Sequence, residues 1–304
     1  MSWLTDANPA ASIPGEGAAD LVIESSVKDL GGFRVRRALP RAARQMIGPF
    51  IFLDAVGPAR FEAGEGIDVR PHPHIGLATL TYVVKGSILH RDTLGSRQEI
   101  VPGDVNWMTA GRGIAHSERT DPTRRAIARE MQGIQSWIAL PRAHEEVAPG
   151  FTHVAGTELP RWTDGGVALR LIAGDAFGLV SPAPTFSKTL YADASLDAGA
   201  ALPLPDDHAE RAVYVLSGAV TIAGEAFGAP RLLVFRPADR ITVRTEQGAR
   251  LIIVGGEPMD GPRHLWWNFV HSSAERIEQA KQDWQAGRFG PVPGDEREFI
   301  PLPA

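Results

Sequence analysis

His72-Pro73-His74 and His116-Ser117-Glu118 are the two short motifs around which this 304-residue chain is organised. In an extended strand, residues i and i+2 project from the same face, so each motif directs two potential ligands to one side of its strand. Residues 70–120, which contain both motifs, hold four of the nine histidines. Two such strands facing each other would form a cage of three imidazoles and one carboxylate.

The sequence between the two motifs alternates between β-prone runs and turns. Residues 78–84, 87–90, 99–101 and 105–109 favour strands, whereas Lys85-Gly86, residues 92–95 and Pro102-Gly103-Asp104 favour turns. Short strands at regular spacing predict a small barrel or jelly roll. In such a fold, ligands that are distant in sequence meet inside the barrel mouth.

These residues resemble the metal site of the cupin superfamily. The features in common are the His-x-His pair, Gly86 twelve residues later, the Pro-Gly-Asp turn and a late third histidine. The generic cupin motif places a glutamate at position 78 or 79, where this chain has Ala78 and Thr79. Glu118, two residues after His116, would therefore supply the fourth ligand.

That variation, together with three further segments, is similar to the pirin family. The segments are residues 109–116 (Thr-Ala-Gly-Arg-Gly-Ile-Ala-His), residues 48–54 (Gly-Pro-Phe-Ile-Phe-Leu-Asp) and residues 256–258 (Gly-Glu-Pro). The resemblance extends from about residue 30 to 290. It implies an all-β fold of two cupin-type β-barrels, a jelly-roll-like bicupin.

The resemblance also implies a cofactor, a ligand set and an activity. One divalent metal ion would be held by His72, His74, His116 and Glu118. Ligand types alone leave Fe(II), Mn(II), Ni(II), Co(II), Cu(II) and Zn(II) open, and the family favours Fe(II). The family activity is that of a dioxygenase on flavonols such as quercetin, with dioxygen as the second substrate and Glu118 as the candidate general base.

A second hypothesis belongs to a different functional class. Relatives in animals imply an iron-bearing, redox-sensing regulator that binds a protein partner. Oxygen consumption with quercetin separates the two hypotheses, because a regulator without catalytic activity should consume no oxygen above a free-metal control.

Composition excludes several classes of function. With 36 acidic and 31 basic side chains and a formal net charge of −5, the chain offers no general attraction to polyanions, so we expect no direct nucleic-acid binding. The chain has no cysteine, which excludes disulfides and thiolate ligands. No apolar stretch approaches the length of a membrane span. We therefore expect a cytoplasmic monomer without membrane contact.

A weak internal repeat supports two barrels. Residues 214–218 (Tyr-Val-Leu-Ser-Gly) align with residues 82–86 (Tyr-Val-Val-Lys-Gly). This alignment places Leu204 and Asp206 opposite His72 and His74, so we expect a metal-free second barrel in which His208 is a surface residue. The predicted division is an N-terminal metal-binding barrel at 1–140, a linker at 141–166, and a second barrel at 167–304.

The second region is predicted to end with a short helix and a tail. Ser272 followed by Glu275 has the spacing of a capping box, and apolar residues then recur at helical spacing. The proline-rich residues 291–304 are expected to lie over the surface. Trp266 and Trp267 are expected to pack between the barrel and the helix.

Four further predictions concern the surroundings of the metal site. Pro71 and Pro73 lack backbone donors, which favours an edge strand and a rim site open to substrate. His90 matches no ligand position and is expected to support the site from behind or to be structural. Gln135 or Met131 should line the pocket. The five arginines of residues 33–44 are expected on a solvated strand face.

Overall fold

The computed structural model describes residues 18–30 and 32–303. The strands up to residue 154 are β1 (Leu21–Glu24), β2 (Ser26–Asp29), β3 (Arg34–Leu39), β4 (Phe50–Phe61), β5 (Asp68–His74), β6 (Leu77–Lys85), β7 (Ile88–Asp92), β8 (Arg97–Ile100), β9 (Val105–Thr109), β10 (Ile114–Arg119), β11 (Arg129–Ala139) and β12 (Gly150–Val154). Short 3₁₀ helices lie at Pro122–Arg124 and Arg142–His144.

The remaining elements are again mostly strands. They are β13 (Arg161–Asp164), β14 (Val167–Ala176), β15 (Leu179–Val180), β16 (Thr189–Leu196), β17 (Ala201–Pro203), β18 (Glu210–Ile222), β19 (Glu225–Gly228), β20 (Arg231–Phe235), β21 (Thr242–Arg244), β22 (Ala249–Gly256), β23 (His264–Trp266), β24 (Phe269–His271) and the helix α1 (Ala274–Gln285).

Two antiparallel sheets form the first barrel. The larger has the order β12-β9-β6-β11-β4-β3-β2, and the smaller has the order β5-β10-β7-β8. In the smaller sheet His116 on β10 is the register partner of His72 on β5, so the two sequence motifs lie side by side. Within this sheet β5 is the edge strand, which confirms the position expected for a proline-containing strand.

The second barrel is built on the strand path β1-β20-β18-β22-β16-β14-β13, with β15, β17, β19 and β21 attached to it. The all-β, two-barrel architecture with a C-terminal helix is thus confirmed. The expected surface position of His208 is wrong, because this side chain is fully buried and its Nδ1 lies 3.0 Å from Asp207 Oδ1.

Strand pairing crosses the predicted domain division in two places. β1 pairs with β20, so residues 21–24 complete the sheet of the second barrel. The segment expected to be a linker contains β12, which pairs with β9, and β13, which pairs with β14. An exposed strand edge gains hydrogen bonds when another segment covers it, which accounts for both additions. The division of the chain at 140 and 166 remains a prediction.

The C-terminal helix starts one residue later than its capping box predicted. Ser273 Oγ accepts a hydrogen bond from the Arg276 amide at 3.2 Å, and the Ser272 hydroxyl donates instead to Glu145 at 2.5 Å. Among the residues described, no helix combines the length and apolar composition needed to cross a bilayer. The predicted packing role of the adjacent tryptophans is confirmed, since Trp267 is buried and Trp266 packs beside it.

Candidate metal centre

Three histidine side chains converge inside the first barrel. One ring nitrogen from each of His72, His74 and His116 lies within 4.8 Å of the others, and all three residues are buried. His74 Nε2 and His116 Nε2 are 3.1 Å apart. The i, i+2 spacing on β5 and the direct pairing of β5 with β10 account for this convergence.

The β5–β10 pairing shifts register between His116 and Glu118. His116 lies opposite His72, but Glu118 lies opposite Val69, so β5 has one more residue than β10 over this interval. Pro71 lies within the interval, where a missing backbone donor disturbs no ladder bond. Asn268 and Ile300 from the C-terminal region also line the cavity beside the histidines. That the site opens to substrate at the barrel rim remains a prediction.

Hydrogen bonds to Nδ1 define the tautomers of two ligand candidates. His72 Nδ1 lies 2.8 Å from the Arg70 carbonyl oxygen, and His74 Nδ1 lies 3.1 Å from the Asn268 carbonyl oxygen. A carbonyl oxygen only accepts, so each Nδ1 carries the proton and each neutral ring keeps a lone pair on Nε2. The lone pairs are therefore on the ring nitrogens that a metal ion would use.

His90 and Asp92 fix the third imidazole in the same way. His116 Nδ1 lies 3.4 Å from His90 Nδ1, and His90 Nε2 lies 3.0 Å from Asp92 Oδ2. The carboxylate accepts from His90 Nε2–H, so His90 Nδ1 can accept from His116 Nδ1–H. This leaves the His116 lone pair on Nε2. His90 thus lies behind a ligand candidate, and its role in supporting a bound metal remains a prediction.

The cluster suits a cation. Burial lowers the pKa of His72 to about 4 and holds the pKa values of His74 and His116 well below their usual range. The rings are therefore neutral at pH 7, as metal ligation requires. Two Nε2 lone pairs at 3.1 Å repel each other unless a positive charge lies between them. The residues present thus fit the metal ion that the sequence predicts.

Glu118 is a neighbour of this cluster. Its side chain is buried, lines the same cavity as His72 and His74, and accepts a hydrogen bond on Oε1 from Thr81 Oγ at 2.9 Å. Burial raises the pKa of Glu118, although His90 and the Thr81 hydrogen bond oppose the shift. The group of converging ligand atoms comprises the three histidines. A metal bond from Glu118 remains a prediction.

An aromatic cavity of about 240 Å³ adjoins the histidines. Phe33, Phe52, Trp137 and Trp267 contribute to its wall, and the rings of Phe52 and Trp137 stack with centroids 4.1 Å apart. Ligand pockets usually measure about 300–1,000 Å³, so this cavity is small and would enclose a compact molecule.

The sequence analysis predicted that Gln135 or Met131 of β11 lines the pocket, and one of the two does. Gln135 lines the cavity as predicted, on the same face of β11 as Trp137. Met131 packs instead in the neighbouring apolar cluster with Phe33 and Phe61.

The cavity wall also carries a buried ion pair that the sequence analysis missed. Arg37 donates from Nε and Nη2 to the two carboxylate oxygens of Asp54 at 2.9 and 2.8 Å, and both side chains are buried. The solvated-face prediction holds for Arg34 and Arg36 but is wrong for Arg37. Asp54 is the sequence feature that could have predicted this ion pair, because a carboxylate directly after an apolar strand run requires a buried partner.

Comparisons with known proteins agree with the two-barrel fold. The Pirin family profile matches residues 32–138, and the profile of the pirin C-terminal cupin domain matches residues 191–290. A pirin-like protein of Caulobacter vibrioides is 48% identical over 93% of this chain and 99% of its own length. Pirin of Mus musculus is 32% identical over 85% of this chain and 89% of its own length.

One solved structure extends the comparison to three dimensions. The crystal structure of a quercetin 2,3-dioxygenase from Acinetobacter baumannii superposes with a TM-score of 0.87 at 32% identity. The superposition covers 93% of this chain and 94% of that one.

Proposed function

Because the chain belongs to the pirin family, we propose that it is a metal-dependent dioxygenase that acts on flavonols such as quercetin in the cytoplasm. One observation carries the proposal: three buried, neutral imidazoles direct Nε2 to a common point beside an aromatic cavity. The relative from Acinetobacter baumannii that is named a quercetin 2,3-dioxygenase supports this choice of substrate.

The proposed ligands are His72, His74, His116 and Glu118, and the proposed metal is Fe(II). The preference for iron rests on the family, since imidazole and carboxylate ligands also suit manganese, nickel, cobalt, copper and zinc. When bound, the metal supplies a Lewis acid and a template for adjacent substrate oxygens and for dioxygen. The chain supplies the geometry, because each imidazole is held from behind on Nδ1.

The aromatic wall binds and orients the substrate. The stacked pair Phe52 and Trp137 presents flat apolar surface to a flat ring system, and burial of that surface excludes water. A flavonol bound with its hydroxy-ketone edge toward the histidines would place the hydroxyl proton near Glu118.

Glu118 is the proposed general base. The Thr81 hydroxyl engages Oε1, so Oε2 would take the substrate proton when the carboxylate turns toward the cavity. Burial raises the pKa of Glu118, which makes its carboxylate a stronger base than an exposed one.

The test is oxygen uptake by anaerobically iron-loaded protein when quercetin is added. We expect consumption well above the rate of free iron, with His74→Ala protein at the free-iron rate. A metal-loaded wild-type protein that consumes no oxygen above free iron would contradict the proposal. That result would favour the iron-bearing regulator that binds a protein partner.

A further inference from the structure

The C-terminal segment, residues 291–302, contributes one wall of the metal cavity. Ile300 lines the cavity together with His72 and Glu118, although it is more than 180 positions away in sequence. Its side chain is partly buried and packs against the apolar cluster that contains Trp267 and Phe269. The volume beside the ligands therefore depends on a side chain outside both barrels.

The backbone of Ile300 is held from two sides. Its amide donates to the Pro71 carbonyl oxygen at 2.8 Å, and its carbonyl oxygen accepts from Trp284 Nε1 at 2.9 Å. Pro71 immediately precedes the ligand candidate His72, and Trp284 lies on α1. Ile300 thus occupies a defined position between the metal-site strand and the C-terminal helix.

A charged clamp holds the same segment near Glu118. Arg119, the residue after Glu118, donates from Nε and Nη2 to Asp295 Oδ2 and Oδ1 at 2.6 and 2.8 Å. The exposed fractions of the two side chains are 18% and 9%, so water screens this bidentate pair only partly. Both strands that carry the ligand motifs therefore contact the segment.

The segment itself has no regular secondary structure. Its position depends on these side-chain and single backbone contacts, whereas the barrel strands are held by continuous ladders. Regions with few such contacts open at lower free energy than the core. We therefore expect the segment to open at lower free energy than either barrel core.

We propose that Ile300 is a specificity-determining residue, and that the C-terminal segment is a wall that limits the size of ligand accepted beside the metal. This inference rests on the proposed function for the bound metal and for the choice of a flat aromatic ligand. Ile300 limits the space for a flavonol-sized molecule, whereas a triatomic anion that binds the metal needs none of that space.

The test uses two probes on Fe(II)-loaded, anaerobic protein: quercetin as the large probe and azide as the small one. Equilibrium affinities are measured by spectroscopic titration for Ile300→Ala and Ile300→Phe, and metal content is measured on the same samples. Ile127→Ala and Ile127→Phe are matched controls, because Ile127 is exposed and does not line the cavity.

We expect the ratio of quercetin to azide affinity to rise in Ile300→Ala and to fall in Ile300→Phe. Removing or adding a few carbons in an apolar pocket changes discrimination by about 10- to 200-fold, so each shift should reach about tenfold. The Ile127 variants should leave the ratio unchanged. Equal ratios in wild type, Ile300→Ala and Ile300→Phe, with metal content retained, would overturn the proposal.

A third variant tests the clamp. Asp295→Asn removes the nearest of the three carboxylates that pair with Arg119, and its matched control is Asp283→Asn, which breaks an exposed ion pair with Arg288. We expect EDTA to extract the metal several-fold faster from Asp295→Asn only. Equal extraction rates would show that the segment does not cover the site.

These readouts are affinities and extraction rates. They remain informative if quercetin turnover is absent, so failure of the wall and failure of the dioxygenase proposal give different results.

Discussion

The two barrels share a fold but differ in what fills them. The first contains the three histidines, Glu118 and the Arg37–Asp54 pair around a cavity. The second contains a mostly aliphatic cluster that includes Val213, Leu251 and Leu204, the residue that the internal repeat places opposite His72. It also buries polar side chains such as His208 and Arg211, but the group of converging ligand atoms found among the described residues lies in the first barrel. Buried polar groups cost stability unless they are paired, whereas aliphatic packing contributes stability directly.

This difference separates two tasks within one chain. The first barrel keeps the side chains of its candidate site buried, and hydrogen bonds hold His72, His74, His116 and Glu118 in place. The second barrel supplies apolar packing, and the two are joined by a common core that includes Tyr82, Tyr191 and Tyr214. Substitutions in the first interior should therefore change metal chemistry, and those in the second should change folding.

The largest expected effect is loss of metal from the first barrel. His74→Ala should lose most of its metal, because removing an imidazole leaves two ligand histidines and a cavity. His208→Ala, which removes a buried histidine from the second barrel, should retain the wild-type content. Elemental analysis of both purified variants measures their metal content. Full metal content in His74→Ala would contradict the assignment of His74 as a metal ligand.

Glu118→Gln and His116→Ala should separate ligation from base catalysis. His116→Ala should lose metal, and its activity should fall in proportion. Glu118→Gln should keep substantial metal on the three histidines but lose about a hundredfold or more in quercetin turnover per bound metal, since general bases contribute about 10²- to 10⁴-fold. Near wild-type turnover per metal in Glu118→Gln would remove Glu118 as the base.

A smaller effect on metal affinity is expected from His90, which contacts the ligand candidate His116. His90→Phe preserves a ring for the stacking with Phe151 but removes the acceptor for His116 Nδ1–H. Metal affinity should fall about 10- to 100-fold, as is typical when such a support is lost. Competition with a chelator measures the metal affinity of His90→Phe and of the control variant His153→Phe. Unchanged affinity would show that His116 needs no support from His90.

The smallest effect on the metal site is expected from the second barrel's core. Leu204→Ala should lower the free energy of unfolding by about 2–5 kcal/mol through a cavity in the aliphatic cluster. Metal affinity of the folded protein should stay at the wild-type value. Denaturant unfolding and metal titration on the same preparation test both statements, and a matching loss of affinity would mean that the barrels are not separable in function.

Local pattern was enough to predict that the three histidines converge, whereas the two-barrel fold was predicted from the family resemblance and a weak internal repeat. The i, i+2 spacing at His72 and His74 defines one strand face regardless of tertiary structure. Predicting which of the five neighbouring arginines is buried required the register of β3 against β4. That register places Arg37 opposite Asp54. The wall formed by Ile300 depends on a chain segment packing back over β5, and no local periodicity encodes such a contact.

The pairing of β1 with β20 has the same origin. Residues 21–24 have the composition of an ordinary strand, and their partner lies more than 200 positions away. Local propensity predicts that a strand forms but not which sheet edge it joins.

The most direct test of the account is anomalous diffraction from crystals of the metal-loaded protein. We predict a single peak at about 2.0–2.2 Å from Nε2 of His72, His74 and His116, with no peak in the second barrel. A peak at His208 or at another position in the second barrel would contradict the account. So would stoichiometric metal without density among the three histidines.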